Sequence, residues 1–156
     1  MPKPSDVGVG TAMLILNGKG QLLLGLRKGA HRSGHWSFPG GWLDRADTHT
    51  EDAAIRETLE EAGIVVLKAE KHIWVTEDHP EIETRTVTLY HVSRTGQWVG
   101  EVKVMEPNKC ERWGWFDLDK LPKPMFPGIT EAIAYLPELD EEGMGDLRRK
   151  LLETKW

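Results

Sequence analysis

The most constraining feature of this sequence is one acid-rich helix. Residues 51–63 read EDAAIRETLEEAG, with an acidic first turn that suits the positive end of the helix dipole. Thr48 or Thr50 is the expected N-cap, and Thr48 with Glu51 fits a capping box. Gly63 is a good helix terminator. We therefore expect a helix whose two ends are both set by local sequence.

The residues around this helix allow two interpretations. A helical wheel at about 100° per residue predicts two opposite sides. The core-facing stripe holds the apolar residues Ile55, Leu59 and Ala62. The other side holds the glutamates Glu57, Glu60 and Glu61. Glutamates in such a position usually form an ordinary solvated face. Their repulsion costs about 0.2–0.5 kcal/mol per pair in an isolated helix, and bound Mg²⁺ would remove it, because this ion prefers oxygen ligands.

A pair of glycines lies just upstream of the helix, in the segment Phe38-Pro39-Gly40-Gly41. Glycine permits positive φ angles and lets the backbone come close to a metal or a phosphate group. The glycine pair therefore favours the metal-site interpretation of the glutamates over the solvated face.

The remaining sequence predicts a mixed fold. Strand-like segments lie at 7–16, 21–27, 36–38, 64–67, 72–76, 85–92 and 113–116, and helical segments at 128–136 and 146–152. The turn Asn17-Gly18-Lys19-Gly20 predicts that the first two strands form a hairpin. Strands interspersed with a few helices predict an α/β (α+β) fold, with a mixed sheet and helices on its faces. We see no repeat or linker, so we expect residues 1–156 to form a single domain.

Composition excludes several classes of partner. The net charge of −5 argues against an electrostatic grip on nucleic-acid polymers or membranes. No apolar run reaches the length of a membrane span, and residues 1–6 lack a secretory pattern. The single cysteine, Cys110, excludes an internal disulfide and favours a reducing, cytoplasmic location. The acidic stretch 138–142 is expected to be a solvated connector.

Taken together, several of these residues resemble the Nudix box. The pattern of that box is a glycine, a spaced acidic residue and then R-E-x-x-E-E-x-G with a following apolar residue. The matching positions, within about 40–64, are Gly40-Gly41, Arg56-Glu57, Glu60-Glu61, Gly63 and Ile64. The resemblance implies the Nudix fold, an α/β/α sandwich around a mixed sheet with a loop–helix–loop motif. It implies that Glu57, Glu60 and Glu61 bind Mg²⁺, with Mn²⁺ as a substitute. It also implies that the backbone carbonyl of Gly40 is a candidate further ligand.

One departure from the family pattern concerns the loop before the helix. The gap from Gly41 to Arg56 is one residue longer than usual, so the expected mid-box glutamate falls at Thr48, and Asp47 is the nearest acidic residue. We expect the extra residue in the loop 45–50, which leaves the helical glutamates in register.

Three segments, 23–27, 34–41 and 106–116, extend the resemblance to a MutT-like subgroup that acts on nucleoside triphosphates. Within them, Arg27 is a candidate phosphate ligand, with an exposed strand-end arginine as the alternative. Phe38 either lines the base pocket or packs in the core. Gly41 is a candidate substrate contact, and Glu111, preferred over Glu106, is a candidate further metal ligand or base.

The resemblance implies hydrolysis of a (deoxy)nucleoside triphosphate to a nucleoside monophosphate and pyrophosphate, by attack of water on phosphorus. Glu57 and Glu61 are expected to bind Mg²⁺, Glu60 to be a further ligand or a base that orients water, and Arg56 to orient the glutamates. The same box also serves cleavage of nucleoside diphosphate sugars such as ADP-ribose. A catalytically silent nucleotide-binding module is a third interpretation, although such modules usually lose box glutamates. The expected partner is a small nucleotide, and a homodimer is compatible with the family.

Overall fold

The computed structural model describes residues 7–140 and 144–153. The strands in these ranges are β1 (Val7–Ile15), β2 (Leu22–Arg27), β3 (Trp36–Ser37), β4 (Gly40–Trp42), β5 (Val65–Val66), β6 (Glu70–His79), β7 (Thr84–Ser93), β8 (Trp98–Val99) and β9 (Cys110–Phe116). The helices are α1 (Thr50–Ala62), α2 (Ile129–Ala134) and α3 (Gly145–Glu153), with 3-10 turns at Pro80–Ile82 and Pro137–Asp140. None of these helices combines the length and the apolar character that a bilayer crossing requires.

Two sequence interpretations fall partly outside the described residues. The segment 1–6, used above against a secretory signal, lies outside them, as do residues 141–142 of the acidic stretch. The first part of that stretch is not merely a solvated connector, because it forms the second 3-10 turn. Leu139 is buried there, and Glu138 Oε1 accepts a hydrogen bond from Arg94 Nη2 at 2.6 Å.

The strands form a mixed sheet, an antiparallel sheet and a small ribbon. The four-stranded mixed sheet has the order β4-β1-β7-β6, in which only the β1–β7 pairing is parallel. The three-stranded antiparallel sheet has the order β3-β2-β9. The ribbon pairs β5 with β8.

The second half of β1, from Thr11 to Ile15, is buried on both faces, which explains the apolar run there. Leu14 packs into the larger core cluster, which also contains Ile133 of α2 and Leu151 of α3. Met13 and Ile15 point the other way, into a smaller cluster that α1 covers. Helices therefore lie on both faces of the mixed sheet, and the predicted α/β/α sandwich is confirmed.

The predicted hairpin between the first two strands is wrong. The turn itself forms, because Asn17 N–H donates to the carbonyl of Gln21 at 3.0 Å. Beyond it, only the bridge between Leu16 and Leu22 joins the two strands before they enter different sheets. β1 pairs with β7 along its whole length and with β4 at Gly10–Ala12, whereas β2 pairs with β3 and β9 in the other sheet.

The predicted core-facing stripe of α1 is also wrong in part. The side chain of Leu59 is 47% exposed, whereas Ala53, Ala54, Thr58 and Ala62 are fully buried. Because these buried residues are small, α1 can lie close to β1 and β4. The Thr58 hydroxyl avoids an unpaired buried donor by bonding to the carbonyl of Ala54 at 2.7 Å. The close packing turns one edge of the glutamate face toward the protein.

The N-cap of α1 also differs from the prediction. The helix begins at Thr50 with His49 as its N-cap, and His49 N–H donates to Asp52 Oδ2 at 3.1 Å. Neither Thr48 nor Glu51 has the predicted capping role, because the third helical position is Asp52. The C-terminal prediction is confirmed: Gly63 has a φ of 71° and its N–H bonds to the carbonyl of Leu59.

Substitution of Leu59 tests the observed orientation of α1. We expect Leu59→Ala to change the free energy of unfolding by less than about 0.5 kcal/mol, because the side chain is exposed and alanine is a good helix former. The matched control, Leu14→Ala in the buried part of β1, should cost about 2–5 kcal/mol. Urea unfolding of both variants measures the difference; a Leu59→Ala cost close to that of Leu14→Ala would contradict this orientation.

Candidate active site

A cleft of about 830 Å³ lies between residues of both larger sheets and α1. Four of the residues proposed from the sequence line it on α1 and β4: Gly40, Gly41, Glu57 and Glu61. Arg56 of α1, Arg27 of β2 and Phe38 between β3 and β4 line it as well. Most of the predicted site residues therefore meet in one concave place, although they are distant in sequence.

Glu57 and Glu61 form a carboxyl pair in the cleft. They lie one helical turn apart on α1, close enough for the charge of Glu57 to act on the pKa of Glu61. Burial raises the pKa of Glu61 to about 9, with the neighbouring Glu57 as the next cause. Burial also raises the pKa of Glu57, followed by the charge of Glu60. Two carboxylates in this arrangement repel each other, so the pair favours either a shared proton or a cation.

The glycine pair makes room for these carboxyl groups. A Cβ atom at Gly41 would lie 2.6 Å from the Glu57 carboxyl carbon, and one at Gly40 would lie 2.3 Å from the carbonyl oxygen of Thr11. Gly40 N–H donates to Glu61 Oε2 at 3.3 Å. Neither glycine has a positive φ. The pair therefore serves close approach of β4 to β1 and α1, and not an unusual backbone conformation.

Arg56 is held by three carboxylates at the edge of the cleft. Its guanidinium lies 3.1 Å from Asp47 Oδ2, 3.1 Å from Glu57 Oε1 and 3.5 Å from Glu60 Oε1. The Asp47 hydrogen bond is the largest cause that raises the pKa of Arg56. A hydrogen bond from the backbone N–H of Asp44, followed by the one from Arg56, lowers the pKa of Asp47. Asp47, whose role the displaced loop left open, therefore positions Arg56 beside Glu57.

Glu60 and Glu111 are not brought to the cleft. The Glu60 side chain is 49% exposed and meets only the outer side of Arg56, and Glu111 is exposed on β9. Neither lines the cleft, whereas Glu106, the less favoured candidate, does. Glu106 is close enough for its charge to raise the pKa of Glu61. A strand places successive side chains on opposite faces, so proximity to β9 in sequence did not decide which glutamate faces inward.

Arg27 connects the carboxyl pair with an aromatic part of the cleft. Its Nε donates to the carbonyl of His31 at 3.2 Å, and its guanidinium lies 4.7 Å from the centre of the Phe126 ring. Burial lowers the pKa of Arg27, while the charge of Glu61 acts in the opposite direction. Arg27 is thus a partly buried cation between Glu61 and Phe126, not an exposed strand-end arginine.

Phe38 packs in the core, as one of its two interpretations predicted, and it also lines the cleft. It is buried in the larger core cluster, where its ring meets Tyr90 edge-to-face at 5.9 Å. Beside it, the buried carboxyl group of Glu77 accepts hydrogen bonds from three hydroxyl groups, those of Thr86, Thr88 and Tyr90, at 3.1, 3.2 and 2.5 Å. Burial raises the pKa of Glu77 against the effect of these donors.

Sequence reasoning missed this polar group, although its signal was present. Glu77 and His79 alternate on β6, and Thr86, Thr88 and Tyr90 alternate on β7, so all five fall on one face of the sheet. Hydrogen-bonding side chains that share one face of two paired strands indicate a polar group on that face. Gly128 completes it, because a Cβ atom there would lie 2.1 Å from Glu77 Oε1.

Comparison with known proteins finds similar domains and a similar fold. The model of the NUDIX domain matches residues 6–136. The oxidized purine nucleoside triphosphate hydrolase of Danio rerio is 34% identical over 103 residues, which cover 66% of this chain and 62% of that protein. The mitochondrial coenzyme A diphosphatase NUDT8 of Homo sapiens is 38% identical over 76 residues, 46% of this chain and 31% of that protein. The matches thus span less than two thirds of each curated relative.

A solved structure matches more completely. The MutT NUDIX hydrolase from Burkholderia pseudomallei superposes with a TM-score of 0.78 and is 31% identical, and the match covers 85% of this chain and 99% of that one.

Substitution of Gly41 tests the close packing of β4 on Glu57. We expect Gly41→Ala to displace the Glu57 carboxylate, because the added Cβ would lie 2.6 Å from its carboxyl carbon. Catalytic activity should fall at least about tenfold while the far-ultraviolet circular dichroism spectrum is retained. Gly18→Ala is the control, since a Cβ there meets only the Thr95 hydroxyl at 3.7 Å. Equal activity of the two variants would contradict the packing described.

The raised pKa of Glu61 predicts how stability changes with pH in protein freed of divalent cations. Between the ordinary pKa of 4.5 and the folded value of about 9, the folded chain keeps a proton that the unfolded chain has lost. Stability should therefore fall as pH rises through this range. Glu61→Gln removes the titrating group, so its melting temperature relative to wild type should increase from about pH 5 to pH 9 in chelator. A difference that stays constant would refute the pKa assignment.

Proposed function

Because the chain belongs to the NUDIX domain family and is a Nudix hydrolase, we propose that it cleaves a (deoxy)nucleoside triphosphate to a nucleoside monophosphate and pyrophosphate. The observation that carries this proposal is the layout of the cleft. The carboxyl pair of Glu57 and Glu61 and the rings of Phe38 and Phe126 line the same cavity, and Arg27 lies between Glu61 and Phe126. A phosphate chain and a base need these two environments joined in this way.

The donor set in the cleft fits a divalent cation. Glu57 and Glu61 present oxygen ligands side by side, and a positive charge between them would relieve their repulsion. Mg²⁺ prefers oxygen ligands, and Mn²⁺ can substitute for it. We propose that these two carboxylates and the backbone carbonyl of Gly40 hold the cation. When bound, it would supply positive charge to the phosphoryl oxygens, where charge develops during attack by water.

Arg56 has a positioning role in this proposal. Its contact with Glu57 Oε1 at 3.1 Å fixes one oxygen of that carboxylate, and Asp47 fixes Arg56 in turn. The planar guanidinium makes several hydrogen bonds with defined directions. Glu60 binds the same guanidinium from the exposed side at 3.5 Å, so we propose that it supports Arg56 and is not a principal ligand.

Arg27 is the proposed phosphate ligand. It is a partly buried cation in the cleft, and burial strengthens its attraction for a phosphate oxygen. Lys28 and Lys109 also line the cleft and add positive charge near its opening, where both are exposed. These cations would balance a triphosphate within a chain whose net charge is −5.

The nature of the relative from Danio rerio supports a triphosphate substrate, because it is an oxidized purine nucleoside triphosphate hydrolase. We propose a purine or pyrimidine base between Phe38 and Phe126, with Gly41 contacting the nucleotide. The 1–156 chain is proposed to act as one domain, since Leu151 of α3 shares the larger core cluster with β1 and α2. A cytoplasmic location and a homodimer stay predictions.

A product assay tests the substrate class. Purified protein with Mg²⁺ is offered normal and oxidised nucleoside triphosphates, ADP-ribose and coenzyme A, and the products are identified by chromatography. We expect a nucleoside monophosphate and pyrophosphate from a triphosphate. A nucleotide and a sugar phosphate from ADP-ribose as the main products would replace this proposal with the diphosphate-sugar activity, and nucleotide binding without turnover would indicate a silent module.

Substitution of the three helical glutamates tests their separate roles. We expect Glu57→Gln and Glu61→Gln each to lower kcat at least about 100-fold, the scale of losing one electrostatic contact to a transition state. Glu60→Gln is the matched control on the same helix and should lose less than about fivefold, because an exposed ion pair contributes little. Full activity of a well-folded Glu61→Gln variant would show that the carboxyl pair is not the metal site.

A further inference from the structure

A second group of metal-ligating side chains lies away from α1 and β4. It comprises His31 in the loop between β2 and β3, His79 at the end of β6 and Glu81 in the following 3-10 turn. One ligand atom from each residue lies within 4.8 Å of the others, and among the described residues this is the one such group of three. His31 and His79 also line the cleft, so the group borders the proposed nucleotide site.

The hydrogen bonds of His79 determine which ring nitrogen is free. Thr86 already donates its hydroxyl proton to Glu77 Oε2 at 3.1 Å, so its oxygen can only accept from a further partner. His79 Nε2 lies 3.2 Å from that oxygen and therefore carries the ring proton. His79 Nδ1 is left with a bare lone pair, and it faces the group.

Both Nδ1 atoms of the pair are buried without a hydrogen-bond partner among the described residues. His31 Nδ1 lies 3.1 Å from Glu81 Oε1 but is not aligned for a hydrogen bond, and His79 Nδ1 lies 3.9 Å from the same oxygen. The His79 side chain is only 3% exposed. The buried lone pair of His79 faces a carboxylate oxygen, and this arrangement is unfavourable unless a cation lies between the two atoms.

We propose that His31, His79 and Glu81 bind a divalent cation of the zinc class, at a site separate from the carboxyl pair of α1. Imidazole nitrogens favour Zn²⁺ over Mg²⁺, which takes oxygen ligands. Tetrahedral Zn²⁺ with ligands at about 2.0–2.1 Å separates neighbouring ligand atoms by roughly 3.3 Å. The observed separations of 3.1 and 3.9 Å require only small side-chain movements.

The surroundings of His79 match those of a metal-binding histidine. Such a residue usually donates its second ring N–H to an oxygen acceptor, most often a carboxylate, a backbone carbonyl or water, that fixes its orientation. Here Thr86 accepts that bond, and Glu77 Oε2 lies 3.5 Å from the same nitrogen. Burial lowers the pKa of both His79 and His31, which keeps the imidazoles in the neutral form that binds metal.

The guanidinium group of Arg32 already lies beside the Glu81 carboxylate. Arg32 Nε lies 3.0 Å from Glu81 Oε1, and Arg32 Nη2 lies 3.4 Å from Oε2. This arginine holds the carboxylate in place but also opposes a second positive charge. The site is therefore expected to bind Zn²⁺ more tightly when Arg32 is replaced by glutamine. Binding would also fasten the loop whose His31 carbonyl accepts the Arg27 hydrogen bond at 3.2 Å.

Direct binding of Zn²⁺ tests the proposal without reference to activity. Chelator-treated protein is titrated with Zn²⁺ against a zinc indicator in excess Mg²⁺, which keeps the oxygen-ligand site filled. We expect one Zn²⁺ per chain and, for His31→Ala and His79→Ala, binding at least about tenfold weaker, since even an outer partner of a metal ligand contributes that much. His35→Ala is the control, because His35 lies in the same loop but outside the group, and it should bind as wild type does.

Two further measurements keep the test decisive. X-ray absorption at the zinc edge should show two imidazole ligands in wild type, and the double variant Glu57→Gln, Glu61→Gln should keep its zinc. If the buried His79 variant does not fold, His31→Ala and Glu81→Gln carry the test alone. Undiminished binding by both of these variants, loss of zinc in the double glutamine variant, or absence of stoichiometric binding in wild type would each overturn the site.

Discussion

The close packing of α1 against β4 places two carboxyl groups where burial and their mutual repulsion both disfavour the charged form. It is possible because the helix buries small residues, Ala54 and Thr58 among them, and because β4 has no side chains at Gly40 and Gly41. A larger residue on either side would separate the two elements and let water reach Glu61. The absence of side chains at the two glycines lets α1 pack closely on β4. This packing buries Glu61, and burial raises the pKa of its carboxyl group.

The mixed sheet supports this packing because β1, an inner strand, has a hydrogen-bonded strand on each edge and a core cluster on each face. Its two edges pair with β4 and β7, and its two faces enter both core clusters. Such a strand cannot slip by one residue without moving Met13 and Leu14 into the wrong clusters. The register of β4 against β1, and with it the position of the glycine pair under α1, is thereby fixed. The sheet thus fixes β4 against α1, which carries Glu57, Glu61 and Arg56, while Arg27 lies at the end of β2.

The sequence predicted local features better than spatial ones. The C-terminal end of α1 at Gly63, the glycine pair and the side-by-side placement of Glu57 and Glu61 all follow from short-range pattern, whereas the N-cap at His49 does not. The orientation of Leu59 does not, because a wheel compares hydrophobicity and the sheet here selects small volume. The failed hairpin has a similar cause, since β2 pairs with β3 and β9, and a turn signal does not show which distant strand will be the partner. The choice between Glu106 and Glu111 needed the actual path of the chain into β9.

The chemistry of the cleft divides according to donor type. α1 offers carboxylate oxygens that suit a hard cation, and the end of β6 offers imidazole nitrogens that suit a softer one. Arg27 lies close to both groups, since its charge acts on Glu61 and on His31. Its positive charge lowers the affinity of each group for a cation, and a phosphate group would balance it. A bound nucleotide would neutralise that charge, so the affinities of the two proposed cation sites should be coupled through the phosphate chain even though their ligands do not touch.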